Sequence, residues 1–410
     1  MIAPYQRNIR PYLEALIQHY PIVAIIGARQ VGKTTLAKEL GPGWLYLDLE
    51  KPSHFDRLND DPEFFFKQHT EHVIFDEAQL SPSLFSTLRG VIDENRQQKN
   101  RFIVTGSSSP ELLHHISESL AGRVAIVELG TLKANEYYQK PLSHFYQLFS
   151  EPLDKKHVSL FQPQLSIQEI QHFWFKGGYP EPISYNDSFY QEWMTDYQAS
   201  YINRDVARLF PKLDKIAYRR FITMLGKLSS KIINKSDLAR SVGVTQPTIN
   251  SYLDIADGTF VWRQLQCFEH NIYKRVTKMP RGHIRDSGLL HSLLHLHQLE
   301  QLQADPIAGF SFESFVIEEI LKGLQDSHCR NVDAYYYRTR SGAEVDLVLQ
   351  GSFGILPIEI KYGYQVARHQ LRSLHDFIEQ HHLPFGILVN QSDSMIWLSD
   401  KILQVPAGCL

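Results

Sequence analysis

Cysteine is nearly missing from this chain: Cys267, Cys329 and Cys409 are the only three in 410 residues. Scattered and odd in number, they exclude a disulfide framework and a thiolate metal site, and they point to a reducing, cytoplasmic setting. Also missing is any long uncharged apolar run, so no segment is expected to span a bilayer and no membrane partner is implied. Met1-Ile2-Ala3-Pro4 leads into charged and polar residues rather than the apolar core of an export signal. Nor is there a large net charge, since 42 Lys and Arg stand against 45 Asp and Glu, a formal −3. That balance hides an asymmetry. Residues 201–285 hold 16 Lys and Arg against 6 Asp and Glu, a local +10 that leaves −13 for the remainder. Two readings stand: an electrostatic footprint for nucleic acid, or helix faces set against acidic neighbours.

What is present is a globular composition, 43% hydrophobic and 21% charged, in a chain long enough for about two to four domains. The organising stretch is Ile22-Val23-Ala24-Ile25-Ile26 followed by Gly27-Ala28-Arg29-Gln30-Val31-Gly32-Lys33-Thr34-Thr35. It reads as a buried strand, a phosphate loop and a helix. The glycines let backbone N–H groups curl around phosphate oxygens, Lys33 supplies charge to the β- and γ-phosphates, and Thr34 is a hydroxyl ligand for Mg²⁺. A second β-rich run, His72-Val73-Ile74-Phe75, ends in Asp76-Glu77. Asp76 can hold the Mg²⁺ that bridges nucleotide phosphates, and Glu77 can polarise the attacking water.

A third strand runs into Thr105-Gly106-Ser107-Ser108, where Ser107, or Thr105, could bond the γ-phosphate or the water; a polar strand-to-helix cap explains the same letters. Arg123, before the strand Val124-Ala125-Ile126-Val127, reads either as a finger reaching a nucleotide across a subunit interface or as a surface arginine at a helix end. The first reading implies a homo-oligomer.

These features together resemble the AAA-type branch of P-loop ATPases. More narrowly, they are similar to a large prokaryotic family of ATP-binding proteins with the strings that stand here at residues 27–35, 76–79, 105–108 and 120–123. The resemblance continues through Lys176-Gly177-Gly178-Tyr179-Pro180-Glu181, Tyr201-Ile202-Asn203-Arg204-Asp205-Val206 and Asp286-Ser287-Gly288-Leu289. It implies ATP as the nucleotide and a sheet of five parallel strands.

Residues 131–165 lack a clean period and read as a connector, while 167–227 turn helical around Trp174, Trp193, Tyr197 and Tyr201, as a lid bundle would. Arg204 and Arg208 share a helix face and could sense the nucleotide, or pair with Asp205 or a neighbouring domain. Residues 234–253 match a helix-turn-helix, with Ala239 at the crossing, Gly243 at the turn, and Val244, Ile249 and Leu253 inward. Gln246, Thr248, Asn250 and Ser251 would then face DNA, and the basic run from Lys274 to Arg281 would form a wing; a packing role for the same helices is the alternative.

Beyond residue 312 the pattern is helix, three strands, helix, strand, with Val345-Asp346 on one strand and Glu359-Ile360-Lys361 on the next. That order resembles the PD-(D/E)xK nuclease superfamily, with Val in place of the usual Pro before the first acid. Asp346 and Glu359 would hold a divalent metal, Glu313 would complete the shell, Lys361 would orient or deprotonate water, and Gln365 would position Lys361. An inactive sheet with exposed carboxylates is the alternative. The expected fold class is thus α/β multidomain: an AAA-type P-loop parallel-sheet core (1–160), a helical lid (161–230), a winged helix-turn-helix (231–300) and a restriction-endonuclease-like α/β domain (301–410). The expected partners are ATP, Mg²⁺ and DNA; the competing expectation is a nucleotide-gated protein whose last domain is a silent docking surface.

Overall fold

The computed structural model describes residues 5–107, 116, 118–207, 210–269, 278–327, 329 and 331–410, with Asp205 described only in its backbone. Ser108, Arg208, the side chain of Asp205 and residues 274–277 of the basic run lie outside the described residues. The chain falls into two compact units, Met1–Leu132 with Gly258–Phe260, and Lys133–Asp257 with Val261–Leu410.

The first unit is built on a parallel sheet of β1 (Ile22–Gly27), β2 (Leu45–Asp48), β3 (Val73–Asp76), β4 (Phe102–Ser107) and β5 (Val124–Glu128), in the order β2-β3-β4-β1-β5. Every residue of β1 is buried, as a central parallel strand with both faces covered requires. Alternate side chains of β1, β3 and β4 (Ile22, Ala24, Ile26; Val73, Phe75; Phe102, Val104) pack on one face with Leu84, Phe85, Leu88 and Ile92 of the helix Ser83–Glu94. Because the strands are parallel and in register, with Gly27 opposite Ser107 and Asp48 opposite Asp76, their carboxyl ends gather along one edge. Ligands of open α/β sheets bind at that edge.

The second unit contains one continuous nine-stranded sheet, ordered β13-β14-β12-β11-β10-β9-β7-β8-β6. Its strands are β6 (Lys231–Ile232), β7 (Trp262–Cys267), β8 (Arg281–Ile284), β9 (Asp333–Arg338), β10 (Glu344–Gly351), β11 (Gly354–Ile360), β12 (Gly386–Asn390), β13 (Ile396–Trp397) and β14 (Ile402–Pro406). Parallel pairing of β7 with β9, Gln266 opposite Tyr335, joins the hairpin after the helix pair to the C-terminal strands. The expected division at residue 300 is therefore not a break between separate sheets. The division expected at 160 is also displaced. Residues 133–157 belong to the second unit because Phe145 and Phe149 are buried there, Phe149 against Phe353 at 5.0 Å, and Leu153 N donates to Phe353 O at 3.0 Å.

Two of the strings that carried the family resemblance meet in this unit. Asp286 accepts from Gly178 N at 2.8 Å and from Leu289 N at 2.9 Å, so it caps the helix Ser287–Leu293 while pinning the turn after Lys176. Their role here is to satisfy buried backbone groups. Among the described residues no helix is long and apolar enough to cross a membrane.

Candidate functional site

The loop after β1 carries Gln30 and Gly32 in left-handed conformations, φ +61° and +97°, before the helix Lys33–Leu40. Gly27 must be glycine, since a Cβ there would lie 2.2 Å from Leu129 O. Lys33 is buried and its Nζ donates to Gly27 O at 3.1 Å and Ala28 O at 2.7 Å, inside the curl of the loop. Arg7, nine-tenths buried, braces the loop by donating to Val31 O at 2.9 Å and Gly130 O at 2.8 Å. Arg29 pairs with Glu50 at 3.4 Å.

Asp76, at the end of β3, gathers hydroxyl donors. Thr34 Oγ1 lies 2.8 and 3.1 Å from its two oxygens, Tyr46 OH donates at 2.6 Å, and Thr105 Oγ1 donates as well. Burial and the neighbouring Asp76 carboxylate push the Tyr46 phenol far up, so it stays a donor. Glu77 is separate. It adopts φ +55°, and it accepts from Ser107 Oγ at 2.9 Å and from Gln79 Nε2. Gln79 Nε2 also donates to Ser107 at 3.1 Å, while its Oε1 is buried without a hydrogen-bond partner.

The residues expected from sequence at the phosphate loop, Asp76, Glu77 and Ser107 thus come together, and Thr105 joins Asp76 rather than Glu77. Arg123 does not join them. It precedes Val124, whose partner on β1 is Ile22 at the start of the strand, so about five residues of strand, roughly 16 Å, separate it from the loop. It pairs with Asp93 at 2.7 Å. The finger expected of Arg123 was one reaching across a subunit interface; on its own chain it stands at the opposite end of the strands from the loop.

The set tolerates Mg²⁺ and a nucleotide. Thr34 and Asp76 offer hard oxygens in contact with each other, as a cation with oxygen ligands requires. Lys33 has bonds to loop carbonyls that phosphate oxygens could take over.

The carboxylates of the second unit behave differently. A β-bulge between Val345 and Val348 re-aims Asp346, which accepts from Ile360 N at 2.8 Å. Arg281 from β8 stands among the acids: its Nη1 is 3.2 Å from Asp346 Oδ1, its Nη2 is 2.7 and 2.6 Å from the two oxygens of Glu313, and its Nε donates to Ser230 O at 2.8 Å. Lys361 Nζ is 2.5 Å from Glu359 Oε1. Burial, then Asp346, push Glu313 well up, and the same two causes push Glu359 up to about 8. Gln365 is exposed and makes no bond to Lys361. Among the described residues no group of three His, Cys, Asp or Glu is arranged to hold a metal. Of the three acids expected to form a metal shell, Asp346 and Glu313 share the guanidinium of Arg281, and Glu359 pairs with Lys361.

The local +10 is also accounted for in part. Arg281 and His283 alternate on one face of β8, with Arg285 just beyond. The step from 281 to 283 is about 6.6 Å along a strand, close to the roughly 7.5 Å between residues 313 and 318 of a helix. Glu313 and Glu318 lie on the helix Ala308–Asp326, and Glu318 takes Arg263 Nε at 2.5 Å, His283 Nε2 at 2.9 Å and Arg285 Nε at 3.4 Å. Burial would raise Glu318, but Arg263, Arg285 and His283 outweigh it and hold it well below the usual range. Gly282 lies between, on the opposite face, where a Cβ would meet Trp262 at 2.2 Å.

The helix pair at Lys235–Val242 and Gln246–Gly258 turns at Gly243, φ +80°, with Ala239, Ile249 and Leu253 buried. Its second helix exposes Gln246 and Ser251 but also Asp254 and Asp257, with Thr248 and Asn250 half-buried and no Lys or Arg. Arg204 is exposed.

Sequence reasoning missed Arg7, Tyr46, Gln79 and Arg281. Gln79 stood inside the string 76–79, and Arg281-x-His283-x-Arg285 had a period of two; for Arg7 and Tyr46 nothing local signalled a role.

Comparison with known proteins places an AAA domain over residues 19–138 and two domains of unknown function, DUF8612 over 167–300 and DUF4143 over 308–410. The uncharacterized proteins Rv2008c of Mycobacterium tuberculosis and Mb2031c of Mycobacterium bovis are each 31% identical over 411 aligned residues, covering 98% of this chain and 83% of theirs. The Walker-type ATPase paby2304 of Pyrococcus abyssi aligns with a TM-score of 0.46 at 14% identity, over 72% of this chain and 99% of that one. A STAND protein with a tetratricopeptide repeat sensor from Pyrococcus horikoshii aligns at 0.29 and 13%, over 80% and 50%.

Proposed function

The chain belongs to the same family as the two mycobacterial proteins and carries an AAA-type P-loop ATPase domain; from that premise we propose that it hydrolyses ATP with Mg²⁺, and that turnover sets the state of a second unit acting as a binding module. The observation that carries the reading is the division of labour between two adjacent acids. Asp76 is held by hydroxyls that include the Thr34 of the phosphate loop, whereas Glu77 is held apart by Ser107 and Gln79.

In this reading Lys33 exchanges its two carbonyl bonds for phosphate oxygens, and Thr34 and Asp76 hold Mg²⁺, which supplies charge neutralisation on the phosphates. Glu77 takes a proton from the attacking water, and Gln79 Oε1, the buried acceptor without a partner, orients that water. Lys33→Ala removes a buried charge from the loop, a loss on the order of 2–5 kcal/mol. ATP affinity measured by isothermal titration should fall by about thirtyfold or more; unchanged affinity would overturn the assignment of the loop.

A second reading adds DNA as the partner of the second unit, through a surface other than the second helix of the pair. Lys212 and, on the helix Lys215–Lys227, Lys215, Arg219, Arg220 and Lys227 are exposed and make no ion pair among the described residues. This favours phosphate contact without base readout. Arg219→Ala with Arg220→Ala should weaken duplex binding and reduce the slope of log affinity against log salt by about two, read by fluorescence anisotropy. An unaltered slope would remove DNA from this face.

A further inference from the structure

The acidic cluster of the second unit contains its own cation. We infer that Arg281 is the resident cation of the Glu313, Asp346 and Glu359 site, and that it takes the place a divalent metal would need between Asp346 and Glu313.

Three observations converge. Arg281 is 6% exposed, with all three guanidinium nitrogens engaged: Nη1 on Asp346, Nη2 on Glu313, Nε on Ser230 O. It is delivered there by strand pairing and not by a flexible side chain alone, since Arg281 stands opposite both Ile232 of β6 and Leu265 of β7. Lastly, Glu359 is 5% exposed and its Oε2 has no hydrogen-bond partner, so a carboxylate oxygen is left over in the site although Lys361 holds Oε1.

The charges point the same way. Two cations, Arg281 and Lys361, already face the three acids. A divalent ion entering between Asp346 and Glu313 would have to take the oxygens that Arg281 holds and sit beside its charge. With Arg281 removed, the same oxygens present the hard, multidentate set that Mg²⁺ or Mn²⁺ prefers. In the family of nuclease folds that this order of elements resembles, such acids serve a metal; here they clamp the hairpin strand β8 to the helix Ala308–Asp326. The second unit would then have a carboxylate clamp where a cleavage centre was expected.

The test is Mn²⁺ binding to the nucleotide-free full-length chain, followed by electron paramagnetic resonance of the free ion. The wild-type chain should show no Mn²⁺ equivalent that Asp346→Asn removes. Arg281→Met should gain one bound equivalent, and Arg281→Met with Asp346→Asn should lose it again. A wild-type equivalent that disappears in Asp346→Asn would overturn the inference. So would a folded Arg281→Met chain, judged by circular dichroism and a cooperative melt, that binds no additional Mn²⁺. If Arg281→Met does not fold, Arg281→Lys keeps the charge with fewer bonds: a gained equivalent that Asp346→Asn abolishes supports exclusion by the guanidinium. A wild-type-like titration of a folded Arg281→Lys chain that also carries Lys361→Met and still takes no Mn²⁺ overturns the site as one able to bind metal.

Discussion

Glu77→Gln is expected to leave ATP affinity within about threefold and to lower kcat by on the order of 10²–10⁴, the usual contribution of a positioned general base. The separation of effects follows from the geometry. Glu77 makes no bond to Lys33 or Thr34, the residues that would hold the nucleotide and its metal; its partners are Ser107 and Gln79. Ser107 Oγ and Gln79 Nε2 both donate to the same Glu77 oxygen, a place the amide oxygen of Gln can take. Shape and the left-handed backbone at Glu77 are preserved, and basicity is lost. Single-turnover hydrolysis beside nucleotide binding reads the two effects independently. Normal turnover in Glu77→Gln would assign the base elsewhere.

The largest effect on stability is expected at Glu318. Glu318→Ala removes the buried carboxylate that Arg263, Arg285 and His283 share, and breaking a buried ion pair in this way costs about 3–5 kcal/mol. At about 2–4 °C per kcal/mol for a unit of this order of size, calorimetry should show the melting of the second unit lowered by roughly 6–20 °C. Because the Glu318 carboxyl is held well below its ordinary 4.5, its stabilisation is fully present above that pH and is lost as acid carries the pH down through the folded value. Arg240→Ala is the control. Its pair with Asp237 is exposed on both sides, where such pairs contribute about 0–1 kcal/mol. A Glu318→Ala chain that melts within about 2 °C of wild type would mean that the two arginines find other partners or water when the acid is gone.

Glu318 also explains why the charge asymmetry was ambiguous in the letters. Of the basic residues in 201–285, Arg263, Arg281 and Arg285 are neutralised by Glu313, Asp346 and Glu318, which lie 32 to 65 residues away in the chain. Composition counts those arginines as free. Only pairing of β7 and β8 beside the helix Ala308–Asp326 shows which are spent internally and which, such as Arg219 and Arg220, remain on the surface.

Local sequence determined the phosphate loop, the acids at the end of β3, the order of helices and strands, and the turn at Gly243. Each of these depends on short-range physics: glycine at positions of close approach or positive φ, apolar runs for buried parallel strands, and carboxylates at a strand's carboxyl end. Tertiary structure decided what the charges do. It set Glu77 apart from Asp76, brought Tyr46 and Gln79 to them, moved Arg123 to the far edge, and put Arg281 among Glu313 and Asp346. A charged side chain takes its role from whichever opposite charge is buried beside it, and that neighbour is chosen by strand pairing between residues far apart in the chain.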